Sequence, residues 1–168
     1  MPLLVLTLIC VVVSGALALM DGVTQPAILS TAAERADAAM VANIPHATGF
    51  EPVELSSYDG LPATIREIYT TTNDVGYIFI AAVNGFSGDV VIICGIDNDG
   101  RIINTSTLSH TETKGIGTII EQESFLGQFV GADNRLDGVD TVTGATISTR
   151  AYIHAITDIY EAFEVINS

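Results

Sequence analysis

Asp140-Thr141-Val142-Thr143-Gly144-Ala145-Thr146, followed directly by Ile147-Ser148-Thr149, is the stretch of the chain best equipped for chemistry. It gathers the hydroxyls of Thr141, Thr143 and Thr146, two small residues and the start of an apolar helical run. A helix N-terminus presents unpaired N–H groups and the positive end of a dipole, a combination that seats phosphate. Gly144 and Ala145 carry no bulk beyond a β-carbon, so a ligand can come close to the backbone there. The residues alone describe an anion seat. A free threonine hydroxyl is a poor nucleophile, and no histidine or lysine adjoins Thr146 in sequence to activate it.

A second group, His110-Thr111-Glu112-Thr113-Lys114-Gly115-Ile116-Gly117, follows a strand-like run. Read plainly, it is a strand-to-helix loop that uses its glycines for turning and a threonine for capping. Other chemistries find no support. There is no C-x-x-C or comparable metal-ligand spacing, no His/Asp/Ser grouping and no dinucleotide-binding glycine fingerprint. Asp97-Asn98-Asp99-Gly100 superficially resembles the opening of a calcium loop. Gly100 and the missing downstream acid break that pattern and leave a hairpin turn. His46 and His154 stand apart from any constellation and read as surface or helix-face residues.

Asp140-x-x-Thr143-Gly144-Ala145-Thr146 resembles the flavinylation motif of the FMN-binding domain family, Asp-x-x-Ser/Thr-Gly-Ala-Thr, at every specified position. That family includes the G subunit of the Rnf electron-transport complex and the C subunit of the sodium-pumping NADH:quinone oxidoreductase. The segment from His110 to Gly117 is similar to the His-x-Glu-Thr-Pro-Gly-Leu-Gly loop of the Rnf G family, with Lys114 in place of proline and Ile116 in place of leucine. Weaker matches lie at Gly76-Tyr77, Gly85-Phe86-Ser87-Gly88 and Gly95-Ile96-Asp97. The resemblance implies FMN joined through a phosphoester to the hydroxyl of Thr146, with Thr143, Gly144, Ala145 and Asp140 completing the motif. It also implies Glu112 and Thr113 hydrogen-bonding the isoalloxazine edge, and Gly115 and Ile116 packing on its face. His110 lies against the flavin or serves as a structural histidine bonded to a carbonyl.

The implied function is a membrane-anchored electron-transfer flavoprotein subunit within an Rnf-type ferredoxin:NAD oxidoreductase coupled to ion translocation. Its partners would be the other membrane subunits, with a flavin transferase supplying FMN from FAD. Such a redox subunit turns over no diffusible substrate itself, and no metal site is expected. Two alternatives stay open: the C-type subunit of the sodium-pumping quinone reductase, and a membrane-anchored module that binds a flavin or nucleotide non-covalently. The compact chain lacks the larger insertions of the C subunit, which favours the Rnf G assignment.

These residues must be positioned by the rest of the 168-residue chain. Its formal charge of −14, from 20 acids against 6 bases, argues against nucleic acid as a partner. Its mean hydropathy of +0.45 calls for a membrane segment. Residues 1–20 supply one: they carry no charged side chain, and twenty helical residues rise about 30 Å, one hydrocarbon core. A retained transmembrane helix fits better than a lipoprotein signal, since Cys10 comes early and Ile9 is not small. It also fits better than a cleaved signal peptide, because Ala16-Leu17-Ala18 lacks a basic n-region ahead of it. With few basic residues nearby, the positive-inside rule has little to act on; the family resemblance places the soluble domain on the extracytoplasmic side of the cell membrane.

Asp21-Gly22 reads as a break, with a new helix starting near Pro26 and running over residues 28–42 until Asn43-Ile44-Pro45 ends it. Residues 21–48 are thus a membrane-proximal helix and linker, and residues 49–168 the FMN-binding domain. Strands are expected at 50–55, 65–72, 76–83, 90–96 and 101–108, with 65–109 forming an antiparallel meander. A short helix at 121–126 follows. Ile147, Ala151, Ala155, Ile156, Ile159, Phe163 and Ile166 recur at helical spacing and mark a closing amphipathic helix. Neither Cys10 nor Cys94 belongs to a disulfide framework. The fold class is α+β: an antiparallel sheet with helices packed against it, behind an N-terminal transmembrane helix.

Overall fold

The computed structural model describes residues 2–168, and the side chains of residues 4–21, 24 and 34–168. It divides into two compact units, Met1–Asp37 and Ala38–Ser168. Helix α1 runs from Pro2 to Asn43 without interruption. The expected break at Asp21-Gly22 and the fresh start at Pro26 are therefore not present. Interior glycine and proline cost about 1 and 3 kcal/mol, yet starting a second helix also carries a nucleation penalty, and the flanking leucines and alanines are strong helix formers. Within the first unit, Leu4–Asp21 is long and apolar enough to cross a membrane, and its side chains are not buried.

The second unit is built on five strands: β1 (Phe50–Pro52), β2 (Ile65–Thr71), β3 (Gly76–Asn84), β4 (Asp89–Asp97) and β5 (Ile102–His110). They pair antiparallel in chain order, as a meander must when each connection is short. β1 stops at Pro52, earlier than the sequence suggests, and the chain turns through a 3-10 segment at Leu55–Ser57. The β3–β4 hairpin is closed by residues 85–88, with the Gly85 N–H donating to the Gly88 carbonyl at 2.8 Å. At the β4–β5 turn, Asp97 Oδ1 accepts the N–H groups of Asp99 and Arg101 at 3.0 and 2.8 Å. The aspartates there serve the turn itself.

Side chains alternate along β3 and β4, and the sheet has two apolar faces. Phe79, Ala81 and Val83 with Val90, Ile92, Cys94 and Ile96 form one face, all buried. On it lies α3 (Thr146–Ile166), which buries Tyr152, Ala155, Ile156 and Ile159. Phe125 of the short helix α2 (Glu123–Leu126) and Phe129 beyond it both meet the Tyr152 ring at 5.4 Å between centroids. The opposite face presents Ile78, Ile80 and Ile93, also buried; Met40 and Asn43 at the end of α1, and Ile44 just after it, are buried as well. Asn43 Nδ2 donates to Ser106 Oγ of β5 at 3.0 Å. A β-carbon on Gly95 would sit 2.8 Å from the Asn43 carbonyl oxygen, so only glycine allows this approach. The fold is α+β, and its sheet, rigid and filled on one side by α3, fixes where the first turn of α3 points.

Candidate functional site

The first turn of α3 opens onto a cavity of about 320 Å³. Its walls come from three places far apart in sequence: Phe86 in the β3–β4 turn, the loop after β5, and residues 144–148. Thr146 is the first residue of α3, capped by Ala145, which offers no side-chain acceptor. The N–H groups of Thr146, Ile147 and Ser148 have no partner among the described residues, so the helix start keeps its unpaired donors. The Thr146 hydroxyl makes one long contact, to the Val142 carbonyl at 3.5 Å. Gly144 holds φ +91, a conformation that favours glycine, and delivers the chain into the helix. Phe86, Ile116 and Ile147 surround the opening and are 66%, 57% and 56% exposed, an uncommon state for three large apolar side chains on one rim.

Beneath the rim lies the carboxylate of Glu112. Its Oε1 accepts the N–H groups of Phe86 at 2.7 Å and Ser87 at 3.1 Å, and Oε2 accepts the Ser148 hydroxyl at 2.6 Å. Burial pushes the carboxyl pKa upward. The Ser148 hydroxyl, the Ser87 and Phe86 amides and nearby His110 more than offset this and bring it below the usual carboxylate value. The Glu112 N–H donates to His110 Nδ1 at 3.0 Å, and His110 Nε2 lies 3.0 Å from Glu121 Oε1. His110 therefore braces the loop through an amide and a carboxylate, and it does not line the cavity.

The FMN-binding domain family matches this chain over residues 85–161. Over 163 residues, the chain is 33% identical to the G subunit of the ion-translocating oxidoreductase complex of Methanosarcina acetivorans, covering 90% of this chain and 87% of that one. The chain belongs to the family of G subunits of ion-translocating oxidoreductase complexes. A shorter match of 89 residues, 42% identical, joins it to the G subunit of the same kind of complex in Vibrio parahaemolyticus, covering 45% of this chain and 42% of that one. The G subunit of the proton-translocating ferredoxin:NAD(+) oxidoreductase complex of Clostridium ljungdahlii is 28% identical over 97 residues, 52% of each chain. Among solved structures, the crystal structure of Shewanella oneidensis NqrC aligns with a TM-score of 0.49 and 17% identity, over 64% of this chain and 68% of that one.

In this member of the family, Glu112, Thr113, Ile116, Gly144, Ala145 and Thr146 all line the cavity. Gly115, Thr143 and Asp140 do not: each lies exposed beside it. Gly115 has φ +81 and turns the loop, and the Asp140 N–H is held by Gln128 Oε1 at 2.9 Å. Lys114 is exposed, His46 is exposed, and His154 pairs with Asp158 at 3.3 Å. Phe86, Gly117, Ile147 and Ser148 also line the cavity, although sequence reasoning singled none of them out as site residues. Ser148 and Ile147 were within reach of it, since they follow Thr146 directly in the first turn of α3, the turn that opens onto the cavity. Phe86 lay within the weaker match Gly85-Phe86-Ser87-Gly88, but its place on the cavity wall depends on the β3–β4 register.

Proposed function

We propose that Thr146 carries FMN as a phosphoester on Oγ, and that the chain is a membrane-anchored flavin electron-transfer subunit of an Rnf-type ion-translocating oxidoreductase. The observation that carries this reading is convergence: the two motif segments, around Glu112–Gly117 and Gly144–Ser148, line one cavity although they are separate in sequence. The residues fit the group. The unpaired N–H groups at the start of α3 and its dipole would face the phosphodiester, and the Thr146 hydroxyl makes only its long contact to Val142. Phe86, Ile116 and Ile147 would contact the apolar faces of the ring, and about 320 Å³ falls within the range that encloses much of such a ligand. Bound FMN supplies one- and two-electron transfer; the protein tunes it through hydrogen bonds and burial.

The chain's own residues do the holding and shielding. Among the described residues no imidazole or ammonium group bonds the Thr146 hydroxyl, which fits modification by a separate enzyme that supplies the base. A flavin transferase would provide it, with the Thr146 O–P bond forming as AMP leaves FAD. Leu4–Asp21 would anchor the domain in the cell membrane, with the domain on the extracytoplasmic side and the other subunits as its electron donors and acceptors. Thr143 and Asp140, exposed next to the attachment point, are accessible to that transferase. The test is denaturing electrophoresis under ultraviolet light after co-expression with a flavin transferase. A fluorescent band that is lost in Thr146→Ala supports covalent FMN; a native protein that is yellow but shows no band carries its flavin non-covalently.

A further inference from the structure

Glu112 is the most heavily engaged polar group of the cavity, bonded to Phe86, Ser87 and Ser148 through its carboxylate. It is 6% exposed, and three of the roughly four lone-pair directions of its carboxylate are taken by Phe86, Ser87 and Ser148. The slot that holds it is cut to its shape. A β-carbon on Gly85 would collide with Oε1, and one on Gly117 would come within 2.5 Å of Oε2. The two ends of this clamp matter for position. Phe86 and Ser148 stand on different segments of the cavity wall, and Ser148 follows Thr146 by two residues on the same helical turn.

We propose that Glu112 is a positioning residue, tying the 85–88 turn to the first turn of α3 and so fixing the spacing of Phe86 and Thr146 across the cavity. This rests on reading Thr146 as the FMN attachment point, and it reassigns Glu112 from a flavin ligand to a clamp. The clamp works by hydrogen-bond geometry, which makes a specific prediction about its amide. Glutamine keeps the shape: its carbonyl accepts the two N–H groups, and its amide donates to the Ser148 oxygen after that hydroxyl rotates. Alanine keeps nothing. A direct effect of the Glu112 charge on the flavin would instead make glutamine behave like alanine.

Two measurements on the full chain decide it. In the flavin-free Thr146→Ala background, amide exchange at Phe86 and Ser87 stays slow with Glu or Gln at position 112. With Glu112→Ala it accelerates by about tenfold or more, the loss expected for a broken bond to a carboxylate. In the flavin-bearing chain, the visible circular dichroism of the flavin changes in Glu112→Ala and in Ser148→Ala, and Glu112→Gln restores it. Unchanged exchange in Glu112→Ala overturns the clamp, as does a flavin spectrum displaced as far by Gln as by Ala. If Glu112→Ala does not accumulate as folded protein, Ser148→Ala, which cuts only the α3 arm, carries the spectral test. A wild-type chain that acquires no flavin overturns the attachment reading, while the exchange measurement still decides the clamp.

Discussion

Replacing Gly117 with alanine is expected to destabilise the second unit, and the size follows from what surrounds the new methyl. Gly117 has no positive φ, so its backbone accepts alanine; by conformational entropy alone the change would stabilise by about 0.4–1 kcal/mol. The methyl would nevertheless sit 2.5 Å from Glu112 Oε2 and 2.6 Å from Glu112 Cβ. The carboxylate cannot retreat, because Gly85 closes on its other oxygen. It must leave the slot and give up its bonds to Phe86 at 2.7 Å, Ser87 at 3.1 Å and Ser148 at 2.6 Å. Bonds to a charged group are worth about 1.5–3 kcal/mol each, and water reaching the freed carboxylate offsets a large part, leaving a net loss of about 2–4 kcal/mol. Denaturant unfolding of the detergent-solubilised full chain, followed by circular dichroism, measures it. An unchanged or raised midpoint would refute the steric reasoning.

Other consequences can be checked in the same preparations. Glu112 has a folded pKa below its ordinary value of 4.5, so unfolding in acid takes up a proton. The stability it contributes is complete above about pH 4.5 and is lost as pH falls through the folded value; an acid titration of stability should be flatter there in Glu112→Gln. Gly95→Ala should unseat the end of α1, since the Asn43 carbonyl oxygen and Cγ1 of the following Ile44 would each lie 2.8 Å from the new methyl; a cost of about 1–3 kcal/mol is expected, and none would mean the helix end is not held there. Burial pushes the Cys94 thiol up to about 12, with the Thr105 hydrogen bond only partly opposing it. In a Cys10→Ser chain a thiol reagent should therefore label nothing until the protein unfolds, and rapid labelling of native protein would contradict the packing of β4.

Local pattern carried most of the fold. The alternating run of β2, the continuous apolar run of β4, the turns at Asn84-Gly85 and Asp97–Gly100, and the 3.6-residue spacing of α3 are each written within a short window. α1 escaped because Gly22 and Pro26 are local signals, whereas helix continuity depends on the long tracts either side of them. The cavity divides the same way. Thr146, Ala145 and Gly144 are contiguous and were legible as an anion seat. The Glu112–Ser148 bond joins residues 36 apart, and the Phe86 and Ser87 bonds reach back 26 and 25 residues, so the clamp exists only once β3, β4 and β5 are in register. Glu112 was therefore visible as a site residue but not as the one that binds the walls together.

The central claim is covalent FMN on Thr146, and tandem mass spectrometry of the peptide containing residues 140–149 tests it most directly. After co-expression with a flavin transferase, the peptide is expected to gain the mass of FMN less one water, with fragmentation placing it on Thr146, and Thr146→Ala should carry no addition. An unmodified peptide from a preparation whose transferase is active on another substrate, or an addition placed on Thr141, Thr143 or Thr149, would contradict it.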